Sequence, residues 1–366
     1  MSLIFVNERG KAEKFLACTK GSKVMALYVI ASSKVSTIHG ISIAGRTPKA
    51  TLYTPAYDIE YLVLGIKDCR EIPVTPEGIP TPALITRACL RVSGIPYLVV
   101  NAGSYVEPKI PHIVLPSRCV GERIDERSAL PYGTSRRLFS EAHSLGSILS
   151  KLARVFVIGE SMPGGTTTAL AIMTSLGYDA WGRVSSASPY NPHKLKELVV
   201  EKALSRLVEK HGEGYDVFTA VDEVGDPLHL SIAGLVLGLT KGGAHVILAG
   251  GTQMGAVLAI LKDLVRRELT NIAVGTTKWI INDSTSDMKE LISEIAPEVP
   301  LIAINLDFSN APYEGLRYYE KGFVKEGVGA GGTAIAAHAI MGISMERILE
   351  EIFKEYAEVI KHVGIS

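Results

Sequence analysis

Seven short runs of apolar, largely β-branched residues punctuate the chain at 23–30, 61–66, 97–101, 154–158, 245–250, 271–275 and 301–305. Most are nearly continuous and do not alternate with polar residues, the pattern of strands buried on both faces of a parallel sheet. Between several of them lie stretches of helical period. Residues 193–212 place Leu195, Leu198, Val199, Leu204 and Leu207 broadly on one face and charges on the other, and Gly212 ends the run. Residues 346–364 repeat the pattern with Ile348, Leu349, Ile352, Phe353, Tyr356 and Val359, a terminal amphipathic helix that needs a partner. The apolar region 230–260 is broken by Lys241, Gly242, Gly243, His245 and Gln253. No uncharged span there reaches about 20 residues, so it reads as helix, strand, helix and not as a membrane span. Residues 102–135, with Pro108, Pro111, Pro116 and Pro131, read as a long surface excursion. The alternation of strands and helices predicts an α/β fold: a three-layer, mostly parallel, doubly wound, Rossmann-like sheet.

Composition narrows the partners. The 366 residues are 47% hydrophobic, enough for a large core, and Lys+Arg and Asp+Glu both number 38, so nothing marks a nucleic-acid footprint or an anionic membrane surface. A small-molecule substrate is the expectation. Cys18, Cys69, Cys89 and Cys119 lie far apart without CxxC spacing and are expected to be reduced, buried and inert. The first residues, MSLIFVNERGKAEKF, lack the basic start and unbroken apolar core of an export signal, which points to the cytoplasm. The nine histidines show no HExxH or closely spaced pair, and no metal ligand set is expected.

The stretch VFVIGESMPGGTTTAL at 155–170 parses as strand, glycine-rich turn and helix start. Amides in the first turn of a helix have no intrahelical partner and carry the positive end of the helix dipole, so the loop suits an anion. Gly159 and Gly164 fit the opening of the P-loop pattern, but Gly165 stands where that pattern needs lysine. One phosphate suits such a loop better than three. An ordinary tight turn is the plainer alternative. A P-loop-like NTPase is the sharper one, with Asp307 as the carboxylate that would hold Mg²⁺.

A second glycine-rich stretch follows at 322–342, where Glu326 precedes Gly327, Gly329, Gly331 and Gly332 and an Ala/Ile-rich helix begins near Thr333. It is another helix-entry anion site with a carboxylate at its mouth. Glu326 reads equally as a solvated loop acid or as a general base whose pKa burial has raised. Lys196 sits on the 193–212 helix, where a lysine most often faces solvent. Residues 76–90 read as a loop entering a helix.

Taken in order, these pieces resemble the nicotinate-nucleotide:dimethylbenzimidazole phosphoribosyltransferase family, in a divergent, archaeal-type branch. Gly159-Glu160-Ser161-Met162-Pro163-Gly164-Gly165-Thr166-Thr167 is similar to the family's GE-G-GNTT loop, with Gly165 in place of asparagine. WGRVSSASPYNPHKLKELVVEKAL is similar to its GRG stretch and lysine-bearing helix, and aligning Glu201-Lys202-Ala203-Leu204 with ERAL sets Lys196 on the phosphate-binding lysine. Lys325-Glu326-Gly327-Val328-Gly329-Ala330-Gly331 resembles the GEGTGAA stretch that carries the catalytic glutamate. Residues 77–79 and 121–130 resemble its EGV and GTRNI segments. The family's VLVDG strand end is VILAGG here, with Ala249 at the acid.

The resemblance implies a homodimeric enzyme without cofactor that transfers 5-phosphoribosyl from nicotinate mononucleotide to a benzimidazole-type base. It implies a core over 21–310 and a small helical subdomain from 1–20 and 311–366 that completes the active site. Glu160, Gly164, Gly165, Thr166, Thr167 and Lys196 would bind the phosphate, Glu326 would act as base beside Gly327, Gly329 and Gly331, and Thr81 and Thr86 would line the acceptor pocket. A non-catalytic nucleotide-binding protein on the same fold, like the NTPase, is the alternative.

Overall fold

The computed structural model describes residues 2–75, 79–266 and 268–363. Glu77 and Gly78 of the 77–79 segment lie outside the described residues. Eight strands form one sheet: β1 (Leu3–Phe5), β2 (Val24–Ala31), β3 (Tyr97–Gly103), β4 (Ile113–Val114), β5 (Val155–Ser161), β6 (His245–Ala249), β7 (Ile272–Thr277) and β8 (Leu301–Ile304). Their order is β1-β8-β7-β6-β5-β2-β3-β4, and every pairing is parallel except β1 with β8. Strands β2 and β5 are buried along their whole length, which is why their runs carry no polar alternation. Two hydrophobic clusters are built on the sheet, one holding Leu27, Phe156 and Leu248 and the other Tyr28, Val157 and Ile247. Side chains of adjacent strand residues point to opposite faces, so the clusters are the two faces of the sheet. The doubly wound, three-layer α/β architecture is the one the pattern predicts.

From β2 the chain works outward to β3 and β4, then returns to β5 beside β2 and works outward the other way through β6, β7 and β8. The direction of winding reverses between β2 and β5. Ligands of such sheets bind outside the carboxyl ends of the strands at this point.

Four expectations change. The run 61–66 is not a strand but the end of the helix Thr54–Leu64, which buries Ala56, Ile59 and Leu62 at helical spacing and stops at Gly65. A short apolar run does not tell a strand from a buried helix, and the start of this one, with Pro55 in its first turn, lies upstream of the run. Residues 3–5, within the 1–20 stretch expected to be helical, form the sheet edge β1. On the helix His193–His211 Val199 and Leu207 are buried as the amphipathic reading expects, but Lys196 is fully buried and Leu198 is 56% exposed, against it. Among the cysteines only Cys89 is buried, and Cys18 is exposed. The terminal helix Met345–Val363 finds its partner within the chain: it lies along the helix Ala83–Ser93, with Glu355 accepting from both Arg87 and Arg91. Among the described residues no helix is long and apolar enough to cross a membrane.

Candidate active site

A cleft partly open to solvent lies over the carboxyl ends of β2, β5, β6 and β7. The loop after β5 forms one wall. Strand β5 ends with Glu160 and Ser161, Gly164 turns the chain with φ 78°, and the helix Gly165–Ser175 begins at once. Gly165 has no room for a side chain, since a Cβ there would lie 1.9 Å from Oε1 of Gln253. Thr166 lines the cleft, while Thr167 is fully buried behind it.

The second glycine loop meets the first. Gly329 packs against Gly159, where a Cβ on either would lie within 3 Å of the other's Cα, and the Val328 amide donates to the Glu160 carbonyl at 2.8 Å. This approach carries Glu326 and Gly327 into the same cleft as Glu160, Gly164 and Thr166. The turn is held in an uncommon conformation: Val324, Lys325 and Val328 all have positive φ (64°, 46° and 50°). Such backbone costs on the order of 1–3 kcal/mol per residue and persists only where its surroundings enforce it. Here the Val324 amide donates to Ala187 O at 2.7 Å, Thr277 Oγ1 to Lys325 O at 2.6 Å, and Thr86 Oγ1 to Val328 O at 2.9 Å. Lys325 itself is buried, its ammonium 3.0 Å from Asp283 and donating to Ser188 O at 3.2 Å.

The carboxyls of the cleft hold their protons unusually tightly. Burial pushes Glu326 up to about 8, against the amides of Gly331 and Gly327 that donate to its oxygens. Burial also pushes Glu160 up to about 7, with His229 opposing and Asp58 assisting. Glu160 Oε1 accepts from Gln253 Nε2 at 3.1 Å. Deeper still, His229 Nδ1 lies 2.5 Å from Asp226 Oδ2, and both side chains are fully buried. Burial disfavours both charges, yet each favours the other's ionised form, and the result is a raised histidine and a lowered aspartate.

The other expected residues fall in three places. Thr81 lines the cleft, whereas Thr86 is fully buried and serves the Glu326 turn through Val328. Gly329 and Gly331 lie behind the wall: Gly329 makes the approach to Gly159, and the Gly331 amide binds Glu326. Lys196 does not line the cleft; its Nζ donates to Ser185 O at 2.6 Å and Asn191 Oδ1 at 3.0 Å, bracing the Ser185–Ala187 segment that does. Burial and then the nearby Lys325 ammonium push Lys196 down to about 7. Asp307 stands apart from the cleft, paired with Lys278 at 3.3 Å, which removes the carboxylate the NTPase reading needs. Sequence reasoning missed Asp58, Gln253 and the Asp226–His229 pair. The signal for the pair was an aspartate immediately before Pro227, a helix start, with a histidine three residues on.

The architecture defines the class: a doubly wound α/β protein with a cleft at the switch point. Its fold is shared with a solved nicotinate-nucleotide-dimethylbenzimidazole phosphoribosyltransferase from Thermus thermophilus, at TM-score 0.60 and 16% identity over 91% of this chain and 88% of that one. A second Thermus thermophilus structure, of CobT, superposes at TM-score 0.58 and 16% identity, covering 88% and 85% of the two chains. The resemblance read from the glycine loops is borne out at the level of fold. By sequence the chain belongs to the UPF0284 family: it is 50% identical to the UPF0284 protein of Aeropyrum pernix over 352 residues, 96% of this chain and 97% of the relative. The UPF0284 protein of Sulfolobus acidocaldarius is 46% identical over 337 residues, 91% and 94% of the two chains. No family model matches the chain.

Proposed function

We propose that the protein transfers 5-phosphoribosyl from nicotinate mononucleotide to a benzimidazole-type base, releasing nicotinate and forming an α-ribazole 5′-phosphate. The observation that carries this reading is the meeting of the two glycine loops, which sets a proton-holding glutamate beside a helix N-terminus in one cleft. In this reading the phosphate lies at the start of the helix Gly165–Ser175, where the helix dipole favours an anion. The acceptor's ring nitrogen attacks C1′ from the face opposite nicotinate. The C1′–N bond breaks with its electron pair passing to the pyridinium nitrogen, so the departing ring needs no proton.

The acceptor's second nitrogen must lose its proton, and the Glu326 carboxylate takes it. With its pKa near 8, the base form of Glu326 is the minor one at neutral pH, so kcat/KM rises from pH 6 toward pH 9. Val324, Glu326, Gly327 and Val328, which lie in the 311–366 stretch, line the cleft. The test is incubation of the purified protein with nicotinate mononucleotide and dimethylbenzimidazole, with product mass and nicotinate release as readouts, in parallel with ATP plus Mg²⁺. Transfer of the phosphoribosyl group supports the reading. Phosphate release from ATP without transfer refutes it.

A further inference from the structure

Backbone strain and a buried charge coincide at the residue before Glu326. The Lys325 amide donates to Phe323 O at 2.7 Å and the Glu326 amide to Val324 O at 2.5 Å, so the chain reaches the cleft through two successive three-residue turns. Their central residues, Val324 and Lys325, both have positive φ, which makes the turns the rare and strained kind. Glycine would take the 46° of position 325 freely, yet the position carries a long cationic side chain that is buried. Burying an ammonium is unfavourable too, unless it is paired. Strain of this sort collects at functional sites, where the surroundings enforce it. The surroundings here are two anchors. Lys325 Nζ lies 3.0 Å from Asp283 Oδ2 and donates to Ser188 O at 3.2 Å. Asp283 is itself fixed, its Oδ1 accepting from the Thr285 amide at 3.0 Å and the Thr285 hydroxyl at 2.7 Å. Ser188 follows directly on Ser185, Ser186 and Ala187, which line the cleft. The ammonium therefore ties the residue beside Glu326 to two loops outside its own turn.

Resting on the reading above that Glu326 takes the acceptor's proton, we propose that Lys325 is a positioning residue for the transfer: its bridge to Asp283 and Ser188 holds the strained turn and aims the Glu326 carboxyl into the cleft. Without the bridge the turn relaxes, and the carboxyl moves off the acceptor and toward water. A displacement of about 1 Å costs on the order of 100-fold in rate. The sign of the accompanying electrostatic change separates this role from a direct effect of charge. Burial is what raises Glu326, so a loosened carboxyl titrates at lower pH, whereas deleting a nearby cation alone disfavours the carboxylate and moves its titration higher. Glu160, Asp58 and Tyr319 are the titratable groups in or beside the cleft with Glu326, and Lys325 faces Asp283 and Lys196. All of them are kept in the variants below.

The test compares the full-length wild type with Lys325→Gly, which relieves the backbone and removes the bridge, and Lys325→Met, which keeps the stem without the charge. In transfer from nicotinate mononucleotide to dimethylbenzimidazole both variants should lose about 10- to 100-fold in kcat. The KM for nicotinate mononucleotide should stay within about threefold, because Lys196 still braces Ser185. The acidic limb of kcat/KM should move about one unit toward lower pH. A second readout needs no activity: the stability gained at pH 9 by Glu326→Gln, measured by urea titration, should be at least halved in the Lys325→Gly background. Unchanged kcat, or an acidic limb that stays or moves to higher pH, overturns the proposal. So does a Glu326→Gln gain that is absent or equal in the two backgrounds. Failure of both variants to fold overturns it as well, since Lys325 would then be structural alone. A wild type without transfer whose Glu326→Gln gain is halved in the Lys325→Gly background sinks the transferase reading and leaves the tether standing. Transfer at the same kcat by all three proteins does the opposite.

Discussion

Replacing Glu326 by glutamine tests the electrostatics of the cleft without assuming a substrate. A glutamate whose pKa is raised on folding binds its proton more tightly in the folded chain than in the unfolded one. Its favourable contribution is complete below the unfolded value and is lost as pH rises through the folded value. For Glu326 that window runs from 4.5 to about 8, and at 1.36 kcal/mol per unit the shift corresponds to a ceiling of about 5 kcal/mol. Glutamine keeps the volume and an oxygen for the Gly327 and Gly331 amides but does not titrate. The two proteins should therefore unfold at similar denaturant concentration at pH 5, and the variant should become the more stable by several kcal/mol at pH 9. Urea titrations followed by circular dichroism at both pH values measure the difference. Other titrating groups are common to both proteins and largely cancel. In the transferase assay the same variant should lose roughly 10²–10⁴ in rate and lack the acidic limb, the usual worth of a positioned general base. A variant that is less stable than wild type at pH 9, or that shows the same stability difference at both pH values, refutes the assignment of a proton-holding Glu326.

Lys196→Ala removes the ammonium that braces Ser185 and Asn191, and should raise the apparent KM for nicotinate mononucleotide about 10-fold while lowering kcat less; unchanged donor KM in initial-rate measurements removes Lys196 from the site. Gly165→Ala drives a methyl group into the Gln253 amide and displaces it from Glu160, at a cost of about 1–3 kcal/mol by overpacking; an unchanged thermal midpoint contradicts the close approach. Asp283→Asn leaves the buried Lys325 ammonium without its carboxylate and should cost about 3–5 kcal/mol in denaturant unfolding, with a loss below about 1 kcal/mol contradicting the buried pair.

The sheet was legible because its strands are buried on both faces: the runs that became β2, β3, β5, β6, β7 and β8 announce themselves by composition alone. The run at 61–66 failed for a physical reason, since an apolar run says only that the segment is buried. Strands β1 and β4, of three and two residues, are too short to show a period. In the cleft, Glu160, Thr166, Thr81 and Glu326 were readable from loop chemistry and motif order. Asp58 and the Asp226–His229 pair were not, because what sets them apart is burial among residues distant in the chain. Lys196 shows the same limit from the other side: its buried role comes from carbonyls in the preceding loop, which helical periodicity does not represent.

The antiparallel pairing of β1 with β8, Leu3 opposite Ile304, joins segments at nearly opposite ends of the described chain. During synthesis β1 leaves the ribosome long before its partner exists, and must wait for the residues up to Ile304 before it can pair. Contacts of such sequence separation form late and make folding slow. Once β8 is made and until β1 pairs with it, β8 presents an open sheet edge, which is the feature that neighbouring chains capture. The three residues of β1 therefore act as a terminal seal, applied last, and their loss should show first as aggregation during expression and only secondarily as altered chemistry in a cleft formed at β2, β5, β6 and β7.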